Sequence, residues 1–577
     1  MDRFIEIDIE GRFPHYGLRQ VAGSICRVPL QLPAEAVLTF EVAARAEGLA
    51  GTLPVAVESA GERLFEAELS RDTPSQTARL ELPQDTTALE LRVLASFGVV
   101  NWLDLEVTAP FDASVALPPR WRPPARAALE SWMADVSVAA PAADRQRLLI
   151  VGIDGGDWDL IDELGEAGEL PVLTALKERG RHGTLHSMFI PESAISWSSM
   201  RTGVNPGRHG VFHFLTLGSQ RPASYWADLS SAGLRSIVIA VPTAKASEAP
   251  NGVLIEGWTA SADRGYVHPP ELQPALARAG YRPDLVHIRN PRYYAEHLRA
   301  RTDIAVALMS EQEWDHAFVV FEYADTAGHR FGLRSAAWRR VYAAVDTQLG
   351  RLVAAAPPDT TVLIVSDHGW RRFAGTLNVE RALQAQGVRG WSTAFRDGNI
   401  PSLYSGSRIG IGPAGARDPD RAVAALRGLR GPGGKPLVEA VLPIADVFSG
   451  RFTASTPARL LVRTRSDLRA GKRGPVVNAK PVDHHDATGM YLAVGPGIEP
   501  GAGADASVLD VAPTVLGHFG VAPSWRLEGT PIFGPAPPPG DSGDPPNTLV
   551  RRAQTGEEAQ DDDAELRARL RSIGYLE

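Results

Sequence analysis

The stretch LLIVGID at residues 148–154 decides the fold, because its first six residues form an unbroken apolar run. Such a run is typical of a strand that is buried on both faces of a sheet. Similar runs recur at 237–241, 317–321, 362–365 and 491–494. Between these runs, apolar residues follow helical spacing. Strands that alternate with helices predict an α/β domain with a mostly parallel sheet.

The clearest helix precedes the run at 362–365. Apolar residues that recur every three or four positions fall on one face of a helix, and that face is expected to be buried. The residues with this spacing are Trp338, Val341, Tyr342, Val345, Leu349 and Leu352.

The chain changes in composition along its length. Residues 1–110 hold short runs of alternating apolar residues between turn residues, which predicts an all-β sandwich of the jelly-roll type. Residues 111–146 are rich in Pro and Ala and are interpreted as a linker. The α/β domain is expected over 147–534, and a Pro-rich linker with a C-terminal helix over 535–577. The sandwich shows no cluster of ligand-type residues, so the sequence leaves its partner unknown.

Composition and charge exclude several classes of protein. Of the 577 residues, 44% are hydrophobic and 22% are charged, which is ordinary for a globular protein and excludes a fibrous or wholly disordered chain. There are 59 Lys and Arg against 68 Asp and Glu, and the net charge of −9 gives no electrostatic basis for binding duplex nucleic acid. The single cysteine, Cys26, excludes an internal disulfide and a cysteine-based zinc site.

Two signals for membrane targeting are missing from the sequence. The first residues, MDRFIEIDIE, show no basic segment followed by an apolar core, so no secretory signal is expected. No run of about 18 apolar residues occurs, so no transmembrane segment is expected. We therefore expect a cytoplasmic protein.

Three of the predicted strands lead into an aspartate. Asp154 follows the first strand directly, Asp325 comes shortly after the run at 317–321, and Asp367 follows the run at 362–365. Ligands bind outside the carboxyl ends of strands in open α/β sheets. One such aspartate is most simply a helix N-cap, whereas three together predict a cluster of carboxylates.

Histidines accompany these acids. His329 follows Asp325 by four residues, His368 follows Asp367 directly, and His485 lies before the last predicted strand. Mixed oxygen and nitrogen ligands suit Zn²⁺, Mn²⁺ or Fe rather than Ca²⁺. Three acids and three histidines exceed the ligand set of one ion, so they predict two metal ions about 3.5–4 Å apart.

A serine lies between the first two aspartates. In PESAISWSSMRTG, residues 191–203, a loop is followed by a short helix that ends at Gly203. Ser193 at the start of this helix has two interpretations, an N-cap or a nucleophile. In the second, a metal ion and the helix N-terminal amide groups would stabilise its alkoxide.

The order of these residues resembles the alkaline phosphatase superfamily and, within it, the bacterial type I phosphodiesterase/nucleotide pyrophosphatase family. The resemblance extends to SAISWSSMRTGVNPGRHG at 193–210, to VSDHG at 365–369 and to VGPG at 494–497. It covers about 147–534 and does not cover 1–146. It implies an alkaline-phosphatase-like core and a hydrolase of small phosphoric esters, in the first place a phosphodiesterase or nucleotide pyrophosphatase.

The resemblance also implies roles for the site residues. One ion would be held by Asp325, His329 and His485, and the other by Asp154, Asp367, His368 and the Oγ atom of Ser193. Two divalent ions are implied, with Zn²⁺ expected first and Mn²⁺ or Fe as alternatives. Ser193 would attack the phosphoryl group in line and form a covalent phosphoryl-serine that water then hydrolyses.

The sequence departs from the family pattern at three positions. The family's diesterases mostly have Thr where Ser193 stands, and their Pro two residues later is Ile195 here. The Asn that helps nucleotide pyrophosphatases to bind phosphate is Phe214, which cannot do so. Three residues could replace that Asn, namely His213, Lys480 and His484. For His213 we expect a surface or packing role instead.

Other functions remain to be compared. A sulfatase is disfavoured, because the sequence around Ser193 lacks the Pro and Arg of the element that sulfatases convert to formylglycine. A phosphomonoesterase or a phosphomutase of the same superfamily remains an alternative. A third hypothesis is a catalytically inactive protein that binds a partner through the N-terminal sandwich. Against it, all six predicted metal-ligand positions carry competent side chains.

Overall fold

The computed structural model describes residues 146–545, except 217–219, 261–264, 280, 284–290, 395–402, 415–417 and 473, together with strands within 4–108 and at 547–549. The chain divides into two compact units, Met1–Trp121 and Arg122–Glu577. Apart from residue 146, the predicted linker lies outside the described residues, as does the predicted C-terminal helix. The four-part division of the chain therefore stays a prediction.

The described part of the first unit consists of strands. They are β1 Phe4–Glu6, β2 Leu18–Val21, β3 Ile25–Pro29, β4 Val37–Ala44, β5 Leu53–Ser59, β6 Glu62–Leu69, β7 Ser75–Glu81, β8 Ala88–Val93 and β9 Val99–Thr108. They form a five-stranded sheet in the order β1-β3-β8-β5-β6 and a four-stranded sheet in the order β2-β9-β4-β7. A sandwich would require these two sheets to pack face to face, and that packing stays a prediction.

The second unit holds the α/β region. Its strands are β10 Leu148–Ile153, β11 Arg181–His186, β12 Gln220–Pro222, β13 Ser236–Ile239, β14 Gly252–Ile255, β15 Val267–His268, β16 His316–Phe321, β17 Thr361–Val365, β18 Gly369–Phe373, β19 Gly375–Asn378, β20 Trp391–Ser392, β21 Tyr404–Ser405, β22 Arg408–Pro413, β23 Val438–Pro443, β24 Leu460–Thr464, β25 Leu468–Gly471, β26 Val477–Asn478, β27 Val482–Asp486, β28 Thr488–Val494, β29 Gly501–Ala502, β30 Ala506–Ser507 and β31 Asn547–Leu549.

Helices connect many of these strands. The α-helices are α1 Trp158–Glu166, α2 Pro171–Arg179, α3 Ser193–Thr202, α4 Pro206–His209, α5 Trp226–Ser231, α6 Gln273–Arg278, α7 Pro291–Glu311, α8 Tyr323–Phe331, α9 Ala336–Ala355, α10 Val379–Ala385, α11 Pro419–Gly428 and α12 Val511–Phe519. Single turns of 3-10 helix lie at Phe214–Thr216, Ala246–Glu248, Pro270–Leu272, Pro432–Gly434, Ile444–Asp446, Thr453–Ser455 and Val508–Asp510. Every apolar run predicted as a buried strand coincides with or overlaps one of the strands.

The central sheet is mixed, with a parallel centre. Its strand order is β15-β14-β13-β16-β10-β17-β28-β11-β29, and β30 also pairs with β11. The five strands from β14 to β17 in this order are parallel, as the sequence predicts. β15 and β28 run antiparallel to their neighbours in this parallel set. The sheet forms the centre of an α/β core, as the sequence predicts.

Both faces of β10 are buried, which explains its unbroken apolar sequence. Leu149 and Val151 pack into one core, which also contains the predicted apolar face of α9 from Trp338 to Leu352. Leu148 and Ile150 pack into the opposite core with Trp197 of α3. Because side chains alternate across a strand, a strand between two helical layers needs apolar residues at every position.

A smaller third core lies in residues 375–478, called the insert below. The insert contains β19–β26 with α10 and α11, and it lies in the chain between β18 and β27. Its core is formed by residues such as Leu377, Leu383, Ile409 and Val462, all almost fully buried. The insert therefore has a core of its own and can carry residues to the site from outside the central sheet.

Among the described residues, none of the helices combines the length and the apolar character needed for a membrane span.

Candidate metal centre

The three predicted aspartates lie at one edge of the central sheet. β16, β10 and β17 are adjacent, and Gly152 is in register with Val320 on one side and with Val365 on the other. Their carboxyl ends therefore stop at the same level. Asp154 and Asp367 leave the ends of β10 and β17, and Asp325 lies in the first turn of α8, which follows β16.

Two groups of three ligand-type residues form at this edge. In each group, the candidate ligand atoms lie within 4.8 Å of one another. The inner group consists of Asp154, Asp367 and His368, and the outer group consists of Asp325, His329 and His485. The rings of His368 and His485 stack with centroids 3.7 Å apart, so the two groups are neighbours.

The outer group combines a helix with a pair of antiparallel strands. Asp325 and His329 are one helical turn apart on α8, and their side chains therefore meet on one face. His485 comes from β27, which pairs with β18 and places His485 opposite Trp370. The Nε2 atoms of His329 and His485 are 2.7 Å apart, and Asp325 Oδ1 lies 3.3 Å from His485 Nε2. Three candidate donors thus converge on one point.

The inner group is fully enclosed. Asp154 is 2% exposed, and Asp367 and His368 are 0% exposed. The Nε2 atom of His368 lies 3.3 Å from Asp367 Oδ2 and 3.7 Å from Asp154 Oδ1. Asp367 Oδ2 nevertheless accepts no hydrogen bond within the described part of the chain. A buried carboxylate oxygen of this kind needs a cation or a proton.

Hydrogen bonds behind the histidines orient their rings. The Nδ1 atom of His368 lies 3.2 Å from the Gly369 carbonyl oxygen, and that of His485 lies 3.1 Å from the Pro191 carbonyl oxygen. A carbonyl can only accept, so each Nδ1 carries the proton and each Nε2 presents a lone pair to the centre. This arrangement is typical of histidines that bind metal ions.

The carboxylates are held in a similar way. The indole N–H of Trp197 donates to Asp154 Oδ2 over 3.1 Å, and the backbone N–H of Gly155 donates to Asp367 Oδ1 over 3.2 Å. Gly155 has a φ of +68°, and a Cβ atom there would lie 2.4 Å from Trp370 Nε1. The turn after β10 therefore requires glycine, for conformation and for space.

Burial and mutual repulsion shift the pKa values of the inner group. Burial, followed by the charges of Asp367 and Asp325, raises the pKa of Asp154 well above its usual range. Burial and the charge of Asp325 raise the pKa of Asp367 to about 7. Burial and the neighbouring His485 lower the pKa of His368 well below its usual value. Divalent cations would supply the positive charge that these buried carboxylates lack, so the residues fit a metal centre.

Ser193 belongs to the inner group by position. It is the first residue of α3, and its Oγ atom lies 3.1 Å from His368 Nε2 and 3.4 Å from Asp154 Oδ1. Glu192 is the N-cap of this helix and accepts a hydrogen bond from the Ile195 N–H. The structure thus decides against the interpretation of Ser193 as N-cap. The helix ends at Gly203, with a φ of +66°, as predicted.

A cavity opens on the outer group. It is lined by Ile190, Glu192, Phe212, His213, His329, Leu403, Tyr404, Ser405, His484 and His485. None of the inner group is among these residues, and neither is Ser193, which follows Glu192 in the chain and is only 1% exposed. Burial raises the pKa of Glu192 to about 8. The cavity is the route by which a ligand would approach the centre.

The residues considered as replacements for the missing Asn have different positions. Phe214 itself is buried against Trp258, with ring centroids 4.7 Å apart, and Lys480 is exposed. His213, for which we expected a surface or packing role, is buried and lines the cavity. Its Nδ1 accepts the Leu215 N–H over 3.1 Å, which places its proton on Nε2.

His484 also lines the cavity and has the same tautomer. Its Nδ1 accepts the N–H groups of Gly406 and His485, so its Nε2 carries the proton. His213 and His484 therefore each present an N–H donor.

Sequence reasoning missed three polar residues of the lining. Glu192 precedes Ser193 and could have been found as the acidic residue at a helix start. Tyr404 and Ser405 come from the insert, 80 residues or more before His485 in the sequence. Ser405 Oγ donates to the Pro191 carbonyl over 2.6 Å and lies 3.2 Å from His485 Nδ1. No local pattern marks such a contact.

Comparisons with known proteins identify the family. Residues 148–453, more than half of the chain, match the model of the type I phosphodiesterase / nucleotide pyrophosphatase family. The chain belongs to this family, which is part of the alkaline phosphatase superfamily. It is therefore an enzyme of the phosphoric ester hydrolase class, and the family is metal-dependent.

Solved structures give distant likenesses. Murine ectonucleotide pyrophosphatase/phosphodiesterase 5 is 15% identical, with a TM-score of 0.43, over 67% of this chain and 98% of that one. The human protein of the same name is 15% identical, with a TM-score of 0.43, over 67% and 97%. Phosphonoacetate hydrolase from Sinorhizobium meliloti is 16% identical, with a TM-score of 0.46, over 65% and 98%. No match is found among curated proteins.

Proposed function

We propose that the chain is a two-metal phosphodiesterase that acts through Ser193 and a covalent phosphoryl-serine. The observation that carries the proposal is the position of Ser193 Oγ, within 3.4 Å of two members of the inner group and at the start of a buried helix. Packing alone would not require the hydroxyl of a buried serine to contact two candidate metal ligands. The complete set of ligand-type side chains favours an active enzyme over an inactive binding protein.

The residues of the two groups would hold one divalent ion each, with Zn²⁺ expected first and Mn²⁺ or Fe as alternatives. Such ions neutralise the phosphoryl oxygens and favour the ionised form of a nearby hydroxyl. The fit to metal rests on the converging Nε2 lone pairs and on the buried carboxylates described above.

The chain's own residues supply the remaining steps. Ser193 Oγ attacks phosphorus, which forms an O–P bond and releases the leaving oxygen, while the hydroxyl proton passes to the leaving group through solvent. The start of α3 directs backbone N–H groups toward the developing charge. His213 and His484 offer N–H donors to the substrate from the cavity wall. Water then displaces Ser193 and releases the phosphoric product.

The cavity lining favours a diester over a monoester. A phosphodiester carries one negative charge at neutral pH, whereas a monoester carries nearly two. The described residues that line the cavity include neither Lys nor Arg, and their donors are the neutral N–H groups of His213 and His484. A second phosphoryl charge would therefore be less well paired, so a phosphomonoesterase remains the alternative.

The test is a comparison of Ser193→Ala with Ser196→Ala. Ser196 lies on the same helix and its hydroxyl contacts Ser187, so its replacement controls for damage to α3. After reloading with Zn²⁺ or Mn²⁺, we expect Ser193→Ala to lose about 10³-fold or more in kcat on bis(p-nitrophenyl) phosphate, and Ser196→Ala to stay within about tenfold of wild type. The wild type should prefer this diester to p-nitrophenyl phosphate.

Two results would overturn the proposal. A folded Ser193→Ala that keeps the wild-type rate would exclude the covalent route. A wild-type protein that binds no metal and cleaves neither ester would favour the inactive binding protein.

A further inference from the structure

Two cations of the insert lie beside the cavity, outside its lining, and the proposed mechanism does not use them. Tyr404 on β21 lines the cavity. Two cations lie against its ring: Lys472 Nζ is 4.0 Å from the ring centroid, and Arg469 Cζ is 5.5 Å from it. Cation–π contacts at these distances hold both side chains beside the ring. Tyr404, Arg469 and Lys472 are called the rim cluster below.

The local backbone explains why the two cations reach this position. Arg469 lies on β25 between the buried residues Leu468 and Ala470, so the alternation of a strand turns it to the other face. The Ala470 N–H donates to the Gly406 carbonyl over 2.9 Å, which fixes β25 beside the segment that follows Tyr404. Lys472 comes directly after this strand.

The rim cluster is close to the outer group. The ring of Tyr404 lies 6.2 Å from that of His484, which in turn lies 6.0 Å from that of His329. The rim cluster therefore lies beside two of the histidines that line the cavity.

Arg469 also has an unused hydrogen-bond donor. Its Nε atom is buried and has no hydrogen-bond partner among the described residues. A buried guanidinium N–H without an acceptor is costly, and a bound anion would supply the acceptor. Arginine beside lysine is a usual combination for phosphate and carboxylate groups.

We propose that the rim cluster is a subsite for a second anionic group of the substrate, a phosphate or a carboxylate carried on the leaving group. The inference rests on the proposed function, because it assigns the leaving group of the same reaction. The neutral donors near Ser193 would hold the phosphoryl group that is attacked, and the rim cluster would pair the charge on the other side of the scissile bond. The substrates selected are those with a charged leaving group.

The test measures binding to the zinc-loaded Ser193→Ala protein by calorimetry, so that no ligand is turned over. The ligands are methyl phosphate, with one anionic group, and pyrophosphate and 2-phosphoglycolate, which add a phosphate or a carboxylate. Free Zn²⁺ is held constant, because pyrophosphate binds metal ions. Each ligand is titrated into the parent protein and into versions with Arg469→Gln, Lys472→Gln or both. Lys435→Gln is the matched control, since Lys435 is an exposed lysine of the insert outside the cavity lining.

We expect each substitution in the rim cluster to weaken the binding of pyrophosphate, of 2-phosphoglycolate or of both about tenfold. This is the effect of one lost charge-assisted contact. The binding of methyl phosphate should weaken much less, and Lys435→Gln should leave the affinities for all three ligands unchanged. If only the binding of pyrophosphate weakens, the subsite is assigned to a phosphate group. If only the binding of 2-phosphoglycolate weakens, it is assigned to a carboxylate. Thermal midpoints verify that the variants are folded.

The inference is overturned if the rim substitutions change all three affinities equally or change none. That result can coexist with Ser193-dependent cleavage of bis(p-nitrophenyl) phosphate, in which case the proposed function stands. The proposed function itself fails if the wild type cleaves no ester and does not bind methyl phosphate, however much metal is added.

Discussion

The inner and outer groups contain the same kinds of side chain in two different settings. The inner group is built at the ends of two adjacent parallel strands, and every member is at most 2% exposed. The outer group combines a helix, an antiparallel strand pair and a contact from the insert, and two of its members line the cavity. This difference indicates two roles within the proposed function: the inner group would position the nucleophile, and the outer group would contact the ligand in the cavity.

The largest expected effect comes from breaking either group. Asp367→Asn and His329→Gln should each lower kcat/KM on a phosphodiester by about 10³-fold or more, because a two-metal site needs both ions. Metal analysis should find about one equivalent less in each variant than in the wild type. Asp483→Asn is the control, since Asp483 lies on β27 but pairs with Arg372 at the surface. A folded Asp367→Asn with a tenth of the wild-type rate would show that the inner group is not a metal site.

The second effect is a pH-dependent loss of stability in the metal-free protein, which comes from Asp367 of the inner group. Asp367 has a pKa of about 7 in the folded chain, against 3.8 for the unfolded chain. The folded form therefore binds the proton more tightly, and this stability is full below about pH 4 and is lost as the pH rises through about 7. The free energy of unfolding should fall by about 2–4 kcal/mol across this range.

Thermal unfolding after chelation, from pH 5 to pH 8, measures this loss. Asp367→Asn should flatten the profile, because its amide does not titrate, and added Zn²⁺ should do so in the wild type. Equal slopes for the metal-free wild type and Asp367→Asn would contradict the predicted burial of an uncompensated carboxyl.

The smallest of the three effects concerns the outer group alone. Ser405 contacts His485 Nδ1 and shares the Pro191 carbonyl with it. Ser405→Ala should weaken one of the two metal sites about tenfold, as is usual when a group behind a metal ligand is lost. Competition with a chelator of known affinity measures this, and Ser455→Ala in the exposed part of the insert is the control. Equal weakening of both sites would mean that the two groups do not respond independently.

Much of the central sheet could be predicted from local pattern. Strands such as β10 and β16 are buried on both faces, and an unbroken apolar run is the direct result of such burial. The apolar face of α9 is confirmed in the same way. The antiparallel course of β28 could not be read, because an apolar run does not contain the direction of the strand.

The candidate site likewise contains residues that local sequence pattern could predict and residues that it could not. Asp154, Asp325 and Asp367 could be grouped in advance, because parallel strands bring their carboxyl ends to one edge. His485 lies just before the strand at Tyr491, and the sequence did not show that its own segment is a strand, β27, paired with β18. His213 was expected to have a surface or packing role, and the sequence did not show that it lines the cavity. Both outcomes depend on contacts between distant segments, which leave no periodic signal.

The sequence by itself determined the α/β core, the family and the set of acids, histidines and serine at the strand ends. These follow from local spacing, since hydrophobic periodicity and strand-end position are properties of neighbouring residues. Only the tertiary structure decided which residues surround that set: Glu192 as the cap of α3, the tautomers of His213 and His484, and the rim cluster beside the outer group. Such choices depend on distances between segments that are far apart in the chain, and these distances are fixed only when the insert and the central sheet are both folded.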